Sequence, residues 1–96
     1  MQPVRSLRAG GFAILEGRVS AIERNRGGLW LTLEDRLAVR IAPPVQAAFG
    51  ERRLRGLEGR RVEVRGWVSE RRSATRDGNR PRWSLTLAHP GLLRPR

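Results

Sequence analysis

Residues 12–41 read FAILEGRVSAIERNRGGLWLTLEDRLAVRI. In the first third of this stretch Ala13, Leu15, Gly17, Val19 and Ala21 share one side of a period of two, with Glu16, Arg18 and Ser20 on the other. That alternation is the pattern of a half-buried strand, and Gly17 sits mid-strand, where a bend meets no side chain. Asn25, Arg26, Gly27 and Gly28 form a turn signal, after which Leu29, Leu31 and Leu33 alternate with Trp30, Thr32 and Glu34. Beyond Asp35 the alternation resumes, Leu37, Val39 and Ile41 inward against Arg36, Ala38 and Arg40 outward. The spacing predicts a meander of three consecutive strands.

Pro43 and Pro44 then stop the sheet, since neither ring can donate to a ladder, and both suit the first turn of a helix. Val45, Ala48 and Phe49 fall at i, i+3 and i+4 of a short amphipathic helix that Gly50 ends or kinks, with Leu54 and Leu57 continuing the apolar side. Residues 61–69, RVEVRGWVS, place Val62, Val64, Gly66 and Val68 on one face and Arg61, Glu63, Arg65 and Trp67 on the other, a fourth strand. A long basic, turn-rich loop follows, and WSLTLAH supplies a fifth strand that Pro90 terminates. The expected core includes Leu31, Leu33, Val39, Ile41, Val64, Val68 and Leu85. Residues 1–11 show no periodicity and read as a flexible basic arm, 12–93 as the domain and 94–96 as a tail.

Ninety-six residues suffice for one small domain. No apolar run approaches the ~20 residues of a membrane span, and the N-terminus lacks a secretory h-region, so a cytoplasmic protein with no membrane partner is expected. The absence of cysteine excludes disulfides, thiolate zinc sites and thiol nucleophiles, and one histidine with two aspartates makes a poor metal cage. No cofactor is expected. All 20 basic residues are arginine against nine acids, giving a formal charge of +11. GC-rich coding accounts for arginine over lysine but not for the excess itself, which points to a polyanionic partner. Guanidinium forks suit phosphate in bidentate geometry.

Three meander strands, a helical connection and two more strands joined by a long loop resemble the OB fold, a five-stranded Greek-key barrel. The phrases FAILEGRVSAIE, LEGRRVEVRGWV and LTLAHPGLL are similar to accessory OB domains of bacterial thermonuclease-like proteins. The segment VEVRGWVSERR also resembles the opening strand of the anticodon-binding OB domain of class II tRNA synthetases, although here it comes fourth. Either resemblance implies oligonucleotide binding. The nuclease chemistry is not carried over, because the acidic set that holds calcium has no counterpart here: Asp35 and Asp77 lie in turns, and the glutamates alternate with arginines on strands.

The resemblance implies a ligand face on the outside of strands two and three, flanked by the loop between strands four and five. Its outward positions are Trp30 and Thr32 on strand two and Arg36 and Arg40 on strand three, with Arg18 nearby on strand one. An aromatic among guanidinium groups is the composition of a base-stacking platform; packing of Trp30 under the N-terminal arm or a neighbouring domain is its structural alternative. Arg71, Arg72, Arg76 and Arg80 form the densest charge cluster, as a phosphate clamp or as a solvated loop. Trp67 reads as a packing contact with Arg65 or the loop, Trp83 as core, and His89 as a strand-end hydrogen-bonding group. The expected function is non-catalytic, sequence-tolerant binding of single-stranded DNA or RNA. The alternative is a protein-interaction module docking on an acidic partner or on a nuclease.

Overall fold

The computed structural model describes residues 1–25, 28–70 and 82–96. Each expected alternation becomes a strand. Strands β2 (Gly11–Asn25), β3 (Gly28–Leu33) and β4 (Leu37–Ile41) form the meander, and β5 (Arg61–Glu70) and β6 (Trp83–Leu87) follow the helical connection. Hydrogen bonding runs β2-β3-β4-β6-β5 and returns from β5 to β2, so five strands close into a barrel. The β4–β6 pairing is parallel and the others in the ring antiparallel.

The two longest strands divide their length between partners. The first half of β2 pairs with β5, from Gly11 opposite Val68 to Arg18 opposite Arg61, and its second half pairs with β3. This leaves half-edges whose N–H and C=O groups need partners. The chain ends supply them. β1 (Gln2–Pro3) lies parallel to β2 at Leu15 and Glu16, and β7 (Leu93–Pro95) pairs with the first half of β5.

Parts of 1–11 and 94–96, expected to lie outside the domain, are therefore paired into the sheet, at Gln2–Pro3 and at the end of β7. Val4, the first residue of a one-turn 3-10 helix (Val4–Ser6), and Leu7, directly after it, are buried in the core. Gly17 explains how Val4 fits, since a Cβ at that position would come within 3.2 Å of the Val4 side chain. The bend thus serves as a socket as well.

A second difference lies in β2. Its register slips between Val19 and Ala21, a β-bulge at Ser20. The extra residue reverses the phase beyond it, so Ala21 faces outward opposite Thr32 while Ile22, opposite Leu31, packs against the core. Ser20 holds the bulge in place: its hydroxyl donates to the Thr32 carbonyl at 3.1 Å and accepts from the Asp35 N–H at 3.1 Å. That contact ties β2 to the β3–β4 turn, where Glu34 and Asp35 both take positive φ.

Leu29, Leu31, Leu33, Leu37, Val39, Ile41, Val62, Val64, Val68, Trp83, Leu85 and Leu87 fill the barrel, as their phases predict. The connection contains two helices where one was expected. Pro43 and Pro44 open α1 (Pro43–Phe49), Gly50 breaks it at φ 81°, and α2 (Glu51–Arg55) follows. Val45 and Leu54 are their buried side chains, and Leu57 in the turn after α2 is buried as well. Among the described residues no helix is long and apolar enough to cross a membrane.

Candidate nucleic-acid interface

Because Leu29, Leu31, Val39 and Ile41 point into the barrel, the residues between them point out. Trp30 and Arg40 are direct cross-strand partners, with Glu23 on the other side of Trp30 and Thr86 on the other side of Arg40. Trp30, Thr32 and Arg40 are half-buried. Thr32 sits in the next outward row, between Ala21 and Ala38. Trp30, Thr32 and Arg40 thus share one outer face of β3 and β4, about 5 Å between strands.

Arg36 and Arg18 stand elsewhere. Arg36, expected on the third strand, occupies the turn before β4, about 13 Å along the strand from Arg40. Its guanidinium donates to the Leu7 carbonyl at 3.0 Å, which fastens the N-terminal segment against the turn. Arg18 is exposed on the outer face of β2 opposite Arg61, and its backbone N–H donates to Glu34 Oε1 at 3.3 Å. The expected residues form two groups, one at Trp30 and Arg40 and one around the β3–β4 turn. Arg71, Arg72, Arg76 and Arg80, together with Arg26 and Gly27 of the first turn, lie outside the described residues.

Trp83 is core, and Arg82 lies over its ring at 5.5 Å. His89 accepts a hydrogen bond from the Gly91 N–H at Nδ1, the strand-end role its position suggests. Of the two contacts expected for Trp67, the one with the loop falls outside the described residues, and Arg65 is engaged elsewhere. Arg65 pairs with Glu63 at 3.2 Å, and Trp67 is 67% exposed opposite Phe12, which is equally exposed. The outward phase of Trp67 was readable from RVEVRGWVS. Its partner was not, because Phe12 reaches it only through tertiary register.

Among the described residues four glutamates are engaged by arginines: Glu16 with Arg61 at 2.6 Å, Glu51 with Arg55 and Arg24, Glu63 with Arg65 and Arg96, and Glu70 with Arg82 at 2.7 Å. The hydrogen bond from Arg61 holds the Glu16 carboxyl below its ordinary range, and those from Arg55 and Arg24 do the same for Glu51. Glu16 and Glu51 are thereby held in their ionised form, and over the whole sequence 20 arginines stand against nine acids.

No protein-family model matches the chain, and no curated protein matches it in sequence. Among solved structures it is similar to a chain in the crystal structure of the S. pombe Stn1-Ten1 complex, at 19% identity and a TM-score of 0.62. The match covers 90% of this chain and 58% of that one, so this chain spans less than two thirds of its neighbour's length. Strand order, barrel closure and this likeness agree on the architecture: the chain is an OB fold, a five-stranded Greek-key barrel with a short helix pair between its third and fourth barrel strands.

Proposed function

We propose that this domain binds single-stranded DNA or RNA without sequence preference, on the outer face of β3 and β4 and the loop joining β5 to β6, and that it has no catalytic activity. The observation carrying this reading is the placement of Trp30 beside Arg40 on that face. An indole offers a stacking surface to any base, and a guanidinium beside it meets the neighbouring phosphate. Thr32 adds a hydroxyl in the adjacent row. Arg71, Arg72, Arg76 and Arg80 of the loop supply further phosphate contacts, and the formal charge of +11 attracts the strand over longer range.

Titration of labelled single strands and duplexes at two salt concentrations tests the reading. Stacking is nearly insensitive to salt, whereas each phosphate neutralised on a single strand contributes roughly −0.7 to the slope of log K against log salt. Trp30→Ala is expected to lose ~1–3 kcal/mol at every salt concentration with the slope unchanged. Arg76→Ala combined with Arg80→Ala is expected to flatten the slope by about one unit. Binding by Trp30→Ala equal to the parent's would remove the platform from the account.

A second reading, docking on an acidic protein or on a nuclease, draws on the thermonuclease-like phrases and on the similar structure being that of a complex. It predicts that oligonucleotides leave Trp30 fluorescence unchanged.

A further inference from the structure

Three large apolar side chains among the described residues are exposed, and two of them, Phe12 and Trp67, face each other across β2 and β5. Scattered exposed apolar residues need no explanation, but a cross-strand aromatic pair left two-thirds open is a surface with a use. Gly10 and Ser69 border it on one side without bulk; Ile14 opposite Arg65 borders it on the other.

The sheet register connects this pair to the face described above. Trp30 lies opposite Arg40, and Arg40 opposite Thr86. The paired register of β5 with β6 ends at Val68 opposite Leu85, which leaves Trp67 and Thr86 as the next outward positions on the two strands, and Trp67 lies opposite Phe12. One outward row therefore runs around the barrel through Trp30, Arg40, Thr86, Trp67 and Phe12, about 19 Å over four strand spacings. Aromatic rings occupy both ends, with an arginine between them.

Charge selects the occupant. Below the pair, the outer face of β2, β5 and β7 carries Arg65, Arg61, Arg18 and Arg94, with Arg96 just past β7, against Glu16 and Glu63. Such a face attracts a polyanion, and a formal charge of +11 on each chain opposes association with a second copy. We propose that Phe12 and Trp67 form a second base-stacking platform, so that a single-stranded nucleic acid seated on Trp30 and Arg40 continues across Thr86 onto this pair. The inference rests on the reading under Proposed function and extends its ligand path beyond the β3 and β4 face, within the ~4–16 nucleotides that one OB fold holds.

The test compares fluorescein-labelled oligothymidylates and oligouridylates of about six and about eighteen nucleotides, lengths that bracket that range. The parent is expected to bind the longer strand more tightly. Phe12→Ala combined with Trp67→Ala is expected to weaken the longer strand at least about tenfold, leaving the shorter strand and the salt slope unchanged. Trp67→Phe, which keeps a ring, is expected to restore most of the loss. Trp30→Ala is expected to weaken both lengths. Both aromatic sites are exposed, so the circular dichroism of the double variant is expected to match the parent's.

The second platform is refuted if the double variant binds both lengths like the parent, or weakens both equally. It is also refuted if the parent sediments as a dimer and the double variant as a monomer with binding unchanged. Harmless Trp30→Ala with a damaging double variant would remove the first platform and leave the second. A parent that binds neither length removes both.

Discussion

Replacing Leu7 or Val4 by alanine tests whether the N-terminal segment belongs to the domain. Both side chains are buried as completely as the centre of the barrel. Leu→Ala in a core costs ~2–5 kcal/mol, and for Leu7 a loss of at least about 2 kcal/mol is expected. Val4→Ala removes two methyl groups at ~0.8 kcal/mol each, plus the space left over the Gly17 socket, or about 2 kcal/mol. A domain of this size has roughly 5–15 kcal/mol in total, so the double variant approaches unfolding at ambient temperature. Urea melts followed by tryptophan fluorescence are expected to show lower midpoints with unchanged m, and Leu7→Ala to lower Tm by about 10 °C. Arg5→Ala and Arg8→Ala, exposed in the same segment, are expected to stay within about 0.5 kcal/mol of the parent. If Leu7→Ala and Val4→Ala melt like those controls, the segment is not part of the core and its docking is wrong.

Further outcomes follow from the geometry. Ser20→Ala removes both hydrogen bonds that hold the β2 bulge to the β3–β4 turn, and at ~0.5–1.5 kcal/mol each the unfolding free energy from urea melts is expected to fall by about 1–3 kcal/mol. Glu16 and Glu51 have carboxyls depressed in the folded state, so their contribution is full above the ordinary carboxylate range and disappears as pH falls through the lowered folded values. Glu16→Gln with Glu51→Gln is therefore expected to flatten the acid limb of stability against pH while leaving the neutral-to-alkaline shape unchanged. Incubation of nucleic acid with calcium, magnesium or zinc is expected to yield no hydrolysis; cleavage that persists through repurification and disappears in Asp35→Asn would contradict the non-catalytic reading.

What the sequence disclosed divides along physical lines. Strands reveal themselves by a local period of two, so the barrel interior and the outward phase of Trp30, Arg40 and Trp67 were legible residue by residue. The bulge at Ser20 was not, because one inserted residue leaves composition unchanged and only reverses the phase of Ala21 and Ile22. Val4 and Leu7 form no repeat; two apolar residues three apart at a single 3-10 turn become core only when the far side of Gly17 is known. Arg36 was placed on a strand because alternation continues through it, whereas the positive φ of Glu34 and Asp35 puts it in the turn. The pairing of Phe12 with Trp67 depends on register between distant segments, which no window along the chain contains.

The closed ring bears on how the chain reaches its native state. The β2–β3–β4 meander needs only short-range contacts, but the ring is sealed by two long-range seams, β2 with β5 and β4 with β6. Loop-closure entropy delays such contacts, which makes sealing the late event and leaves an open, curled ribbon with two bare edges in the meantime. Ribbons of that kind add to one another edge to edge and aggregate. Arg18, Arg36 and Arg40 are already on the meander, and like charge keeps such intermediates apart in solution. Like charge on the meander thus opposes edge-to-edge association of open chains until the two seams close.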